Sequence, residues 1–196
     1  MPSLVLLLGP MASGKTSLCK LLFHAMEDSN LKPFAIIQEN RRDAKGYPVA
    51  LRLIELPGGK ECFLGARAGN VEELYSGEGS GKELKPFVFE RSAFAWATTE
   101  IAQALAKDCG ALIIDEIGPL EVLEGGGLMT ALEAAAKAER VPLIVSLRPS
   151  LEEKLMLRLS RFPSRQILRI ATDCSKGKND LFPLIQTIIR HCQDKK

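Results

Sequence analysis

The residues Gly9-Pro10-Met11-Ala12-Ser13-Gly14-Lys15-Thr16 place two glycines five apart and follow the second at once with a lysine and a hydroxyl. The run fits G-x-x-x-x-G-K-[ST] at every fixed position. Those residue types suit a polyphosphate. Gly9 and Gly14 permit backbone angles closed to other residues, so successive N–H groups can turn inward on phosphate oxygens. Lys15 reaches the β- and γ-phosphates, and the Thr16 hydroxyl is placed to ligate Mg²⁺. Ser17 begins a helix whose positive N-terminal end adds to the cradle. Gly9 through Ser17 are therefore expected to bind a nucleoside triphosphate, ATP or GTP, with Mg²⁺ as cofactor.

A second stretch could complete the chemistry. Ala111-Leu112-Ile113-Ile114 is an apolar run ending in Asp115-Glu116. A buried strand of that kind delivers a carboxylate to the sheet's C-terminal edge, where Asp115 would hold the metal opposite Thr16. Glu116 could orient or deprotonate an attacking water. An apolar run followed by Asp is a weak signal alone. It becomes strong when paired with the glycine loop at the start of the chain.

Further candidates follow the strand Leu143-Ile144-Val145-Ser146. Ser146 either senses the γ-phosphate or merely ends a strand. Arg148 comes just after it, on the phosphate side, and its guanidinium fork could meet two γ-oxygens as charge builds there. Lys15, Glu116 and Arg148 are thus the candidate catalytic groups. Arg158, Arg161, Arg165 and Arg169 suit either a lid over the triphosphate or, the favoured reading, a solvated basic face. Arg41 and Arg42 read as phosphate contacts or as solvated loop arginines.

These side chains need a scaffold, and the sequence supplies one. Leu4 to Leu8 reads as a buried parallel strand, and Ser17 to Glu27 as a helix with Leu18, Leu21 and Leu22 on one face. Phe34 to Ile37 reads as a second strand, after which Gln38 to Arg42 runs polar toward the ligand crevice. Val49 to Leu56, the turn Pro57-Gly58-Gly59 and Cys62 to Leu64 read as an antiparallel edge hairpin. Residues 69–86 read as a surface loop. They contain Gly77-Glu78-Gly79-Ser80-Gly81-Lys82, which is one residue short of the phosphate pattern and followed by Glu83 where a hydroxyl is required. Glu90 to Lys107 is expected to be helical, with Phe94, Ala97, Ile101 and Leu105 inward and Trp96 packing beside them. Leu128 to Arg140 is an Ala-rich helix, and a further helix carries Leu151, Leu155 and Leu159. Gln166 to Ala171 is the last strand. Thr172 to Asn179 reads as a loop reaching the base, and Asp180 as the cap of a final helix. The expected fold is a single three-layer α/β domain over residues 1–196, a mostly parallel sheet with helices on both faces.

Composition narrows the class. The net charge of +2 gives no global field for nucleic acid or membrane. The five cysteines are odd in number and lack C-x-x-C spacing, which argues against zinc or a disulfide framework and for idle cytoplasmic thiols. No apolar run reaches membrane-spanning length. No basic residue precedes the first apolar run, so it reads as a core strand rather than a signal peptide.

Asp115-Glu116-Ile117-Gly118-Pro119-Leu120-Glu121, following the N-terminal glycine loop and Phe89-Glu90, resembles the cancer-related nucleoside-triphosphatases over nearly the whole chain. The resemblance implies a P-loop fold of the RecA-like branch and slow, Mg²⁺-dependent hydrolysis of ATP, GTP and other triphosphates. It implies phosphate binding by Gly9 to Thr16, metal binding by Asp115 and water activation by Glu116. Glu121 matches the motif without an assigned role. Near the C-terminus Lys178-Asn179-Asp180 stands, without the arginine, where the family tends to show Asn-Arg-Asp, and Asn179 is the candidate base contact from its place at the end of the 172–179 loop. Two other readings stay open: a kinase with 148–169 as lid, and a nucleotide-switched binding module.

Overall fold

The computed structural model describes residues 3–42, 44, 48–67, 87–138, 140–163, 165–172 and 178–193, with 67 and 178–180 described by backbone alone. Two regions discussed above, the 69–86 loop with its near-miss glycine run and residues 173–177, lie outside the described residues.

Eight strands form one sheet in the order β5-β4-β3-β2-β6-β7-β1-β8. The strands β1 (Ser3–Leu8), β2 (Pro33–Arg42), β6 (Ala111–Ile117), β7 (Leu143–Leu147) and β8 (Gln166–Ala171) run parallel. Residues 4–7, 34–37, 111–114 and 143–145 are apolar because both faces are covered there, whereas the edge strand β8 carries the exposed Arg169. Alternate side chains go to opposite sides. Leu4, Leu6, Ile36, Ile114 and Val145 pack with α2 (Arg91–Ala106), α4 (Met129–Lys137) and α5 (Glu152–Leu159), while Val5, Leu7, Ile37, Ile113 and Ile144 pack with α1 (Lys15–Asp28) and α6 (Lys178–Gln193). Two apolar cores, one on each side of the sheet, make the three layers. The short α3 (Pro119–Val122) and a 3₁₀ turn (Pro149–Leu151) link the elements near the C-terminal edge.

The antiparallel hairpin is longer than expected. β3 (Pro48–Leu56) and β4 (Glu61–Arg67) continue the sheet beyond β2, and β5 (Phe87–Phe89) adds an edge strand that the sequence reading did not contain. Gln38 to Arg42 is corrected from loop to strand: β2 leaves β6 after Ile36 but stays paired with β3, Arg41 opposite Ala50 and Arg42 opposite Pro48. Its polarity reflects the loss of helix cover, not the loss of pairing. Arg41 and Arg42 are exposed there. Leu151, Leu155 and Leu159 are buried as the pattern predicts, and Trp96 packs half-buried against the core. No helix of the described residues is long and apolar enough to cross a membrane.

Candidate nucleotide site

Because β1, β6, β7 and β8 are parallel, the segments leaving their C-terminal ends meet along one edge of the sheet. The glycine loop leaves β1 with Gly9 donating its N–H to Leu147 O of β7 at 3.3 Å. Gly9 has no room for a side chain: a Cβ there would lie 2.1 Å from Thr172 Oγ1 and 2.2 Å from Ser13 Oγ. Ser13 and Thr172 share a hydrogen bond of 2.8 Å, and the Thr172 N–H donates to Leu8 O at 2.7 Å. The loop is therefore pinned to the end of β8. Gly14 takes φ 86° as the residue that opens α1, and Ala12 takes φ 61°. Both lie in the left-handed region, so the loop reverses on itself before the helix starts. Pro10, Met11, Ala12, Gly14 and Ser17 are exposed, whereas Gly9, Ser13 and Lys15 are buried. Lys15 Nζ donates to Gly9 O at 3.0 Å and Pro10 O at 2.7 Å. The lysine thus lies across the carbonyls of its own loop, and anionic oxygens would be stronger acceptors than these.

Asp115 and Glu116 occupy a break in the β6–β7 ladder. Ile114 pairs with Val145 and Ile117 with Leu147, so two residues of β6 stand opposite the single residue Ser146. That is a β-bulge, and it re-aims the strand end. Glu116 takes φ 61°, a left-handed conformation costly for a side-chain-bearing residue. Asp115 is fully buried. Its Oδ1 accepts from Ser146 Oγ at 2.5 Å, and Cys19 Sγ lies 3.7 Å away. Burial raises the Asp115 pKa, against the opposing pull of the Ser146 and Thr16 hydroxyls. Burial also pushes the Cys19 thiol well up, with the Asp115 charge adding to it. Asp115 Oδ2 has no hydrogen-bond partner among the described residues. A buried carboxylate oxygen without a partner, close to the Thr16 hydroxyl, is a hard all-oxygen donor pair of the kind Mg²⁺ takes.

Arg148 follows β7 in extended conformation and opens the 3₁₀ turn. It is half-buried, and its buried Nε has no partner among the described residues. The later arginines differ. Arg158 donates to Val122 O at 2.5 Å and Leu123 O at 3.1 Å, and Arg165 to Val141 O at 2.8 Å and Ala135 O at 2.9 Å. Arg161 pairs with Glu133, and Arg169 with Glu152. The solvated-face expectation is thereby corrected for Arg158 and Arg165, while Arg161 and Arg169 stay exposed in surface ion pairs. These guanidinium groups tie α3, the C-terminal end of α4 and the start of α5 to their neighbours. Asn179 lies in the first turn of α6 rather than in a loop, and the helix begins at Lys178, before Asp180.

Three side chains take roles that the sequence reading did not give them. Ser146 has both its hydrogen-bonding functions committed, since its Oγ also accepts the Glu116 N–H at 2.8 Å. Thr172 closes the loop, and no sequence signal marks a threonine for that duty. Glu121 is structural: its carboxylate accepts the N–H groups of Gly118 at 2.9 Å and Leu128 at 3.2 Å. It caps α3 and holds the glycine turn that precedes α4. One turn along α1 from Thr16, Lys20 pairs with Glu39, which Arg52 also meets at 2.7 Å. The Lys20 hydrogen bond holds the Glu39 pKa below its usual value.

The sequence profile of the NTPase family matches residues 4–183. The chain belongs to the NTPase family. It is a nucleoside triphosphatase. A human cancer-related nucleoside triphosphatase solved in solution has a similar structure, with TM-score 0.67 at 18% identity, over 100% of this chain and 98% of that one. The crystal structure of THEP1 from the hyperthermophile Aquifex aeolicus is also similar, with TM-score 0.63 at 16% identity over 98% and 99%. At such identities the likeness carries the three-layer α/β fold. No curated protein sequence matches the chain.

Proposed function

We propose that this NTPase hydrolyses nucleoside 5′-triphosphates to diphosphate and phosphate with Mg²⁺, slowly and with broad base use. The observation that carries the reading is the bulge. It sets Asp115, whose Oδ2 has no partner among the described residues, next to Glu116 at the sheet edge where the glycine loop leaves β1, which supports a metal ligand beside a base. The loop from Gly9 to Ser17 would receive the triphosphate, with Lys15 exchanging the carbonyls of Gly9 and Pro10 for phosphate oxygens. Asp115 and Thr16 would hold the metal, which when bound neutralises charge on the β- and γ-oxygens. Glu116 would take the proton of the attacking water. Arg148, whose buried Nε has no partner among the described residues, would meet the charge that develops on the γ-oxygens. Asn179 is assigned to the base side, at the start of α6. The human relative is itself described as a nucleoside triphosphatase, which supports the same activity here. Residues 1–196 would act as one domain. Cys19, Cys62, Cys109 and Cys192 are all free thiols, which supports a cytoplasmic setting.

The test is phosphate release from the purified protein with ATP or GTP, with Mg²⁺ or with chelator. Metal-dependent release without any acceptor is expected. Release only when a phosphoryl acceptor is added would replace this reading with a kinase. Tight nucleotide binding without release would make the chain a nucleotide-switched module.

A further inference from the structure

Ser146 is fully buried and stands alone on β7 opposite two residues of β6. In an unbroken parallel ladder a backbone carbonyl would take the N–H of the residue at the bulge. Here a side chain does it. Ser146 Oγ accepts the Glu116 N–H at 2.8 Å and donates its own proton to Asp115 Oδ1 at 2.5 Å. One hydroxyl therefore touches the backbone of the candidate base and the carboxylate of the candidate metal ligand. With its proton and an acceptor site both committed, it is not arranged as a γ-phosphate sensor.

From this we infer that Ser146 is a positioning residue that couples the Asp115 carboxylate to the conformation of Glu116. The coupling works through geometry. Glu116 is held at φ 61°, which without a partner for its N–H would relax toward the ordinary β region and carry its carboxylate away. The same hydroxyl fixes the rotation of the Asp115 carboxyl by binding Oδ1, and so leaves Oδ2 as the oxygen without a partner. A metal drawing on Asp115 would shift the hydroxyl, and the hydroxyl would shift the Glu116 backbone. Metal occupancy and base placement become one event. The inference rests on the hydrolytic reading above.

The test compares Ser146→Ala, Ser146→Cys and Ser146→Thr in the full chain, each alone and with Glu116→Gln. Two quantities are read: kcat with ATP, and Mn²⁺ affinity by electron paramagnetic resonance without nucleotide. Ala should lower kcat about 10- to 100-fold with little change in KM and weaken Mn²⁺ severalfold, as loss of an outer-shell partner does. Cys is nearly the size of Ser and should show the same pattern, so the comparison stands even if the Ala chain does not fold. Thr keeps the hydroxyl and should recover most of both quantities. With Glu116→Gln present, Ser146→Ala should lower the rate hardly further while still weakening Mn²⁺. Unchanged kcat and Mn²⁺ affinity in the Ala and Cys chains would overturn the inference. At saturating metal, where weaker metal binding no longer limits the rate, losses that add fully to those of Glu116→Gln would overturn it too, because Ser146 would then act on something other than Glu116. A parent chain that releases no phosphate would instead reject the hydrolytic reading, and the Mn²⁺ series would still report on Asp115.

Discussion

Gly9 and Thr172 approach so closely that one added methyl on Gly9 would overlap Thr172 Oγ1 at 2.1 Å. A residue at the end of the last strand thus sets the shape of a loop that follows the first. Thr172→Val keeps the shape of the side chain and removes the hydroxyl that meets Ser13. It should weaken nucleotide binding severalfold and lower stability by about 1 kcal/mol. Gly9→Ala should abolish binding. Fluorescent-nucleotide titration and urea unfolding check both. A valine variant that matches the parent in binding would show that the loop is held by its backbone alone.

Lys15 is the candidate phosphate-binding cation of the glycine loop, and its ammonium already lies on the loop carbonyls. Lys15→Ala should reduce both affinity and turnover by at least 100-fold, about 3 kcal/mol of lost charge stabilisation. Isothermal titration and phosphate release measure the two losses separately. Turnover within about threefold of the parent would sink the assignment of this loop.

Asp115 and Glu116 are neighbours with separable duties. Asp115→Asn should raise the Mg²⁺ concentration needed for half-maximal rate. Glu116→Gln should leave nucleotide and metal affinity near the parent values while lowering kcat about 100-fold. A Mg²⁺ titration of initial rates distinguishes them. If the Gln variant turned over normally, the water would be oriented by another group.

Arg148 offers a buried Nε that meets no acceptor. Arg148→Ala should lower kcat about 10-fold or more and hardly change nucleotide affinity, the signature of a contact made in the transition state. Lys should rescue poorly, because it lacks the planar fork. Weaker binding at unchanged rate would instead make Arg148 a ground-state contact.

Glu121 gives a prediction in pH. Burial raises its pKa, against the opposing pull of the N–H groups it accepts. A carboxyl with a raised folded pKa contributes stability that is fully present below its unfolded value and lost as pH rises through the folded one. Glu121→Ala removes that group and leaves two N–H donors without their acceptor, at a cost of about 1–3 kcal/mol. The deficit should be largest near pH 4 and shrink toward pH 7 (both about). Urea unfolding at the two values checks it, and equal deficits would contradict the sign.

The glycine loop and the strand carrying Asp115 were legible because each depends on local rules. Left-handed turns call for glycine, and a strand covered on both faces calls for an unbroken apolar run. Ser146 was visible as a strand end, but its partners lie on β6, thirty and thirty-one residues away in the chain. Only register brings them together, and the bulge that does so has no glycine or proline to announce it. The tail of β2 was hidden for a related reason. Gln38 to Arg42 pairs through its backbone with β3, and backbone pairing leaves no mark on side-chain polarity. Arg158 and Arg165 looked like surface charge because sequence shows the guanidinium and not the helix-end carbonyls that receive it.

The strand that leads into the glycine loop and the strand that carries Asp115 are not paired with each other. β7 lies between them, paired with β1 on one side and β6 on the other. Two interstrand spacings of about 4.8 Å separate β1 from β6. That distance is a backbone constant, so no side-chain change in either strand can shorten it. The reactive end of a ligand is therefore gauged by the sheet itself, with β7 as the spacer. The sugar and base are gauged by whatever loops surround them. On the proposed reading, insertions and substitutions in those loops would retune which triphosphate enters while the pitch between the glycine loop and Asp115 stays the same.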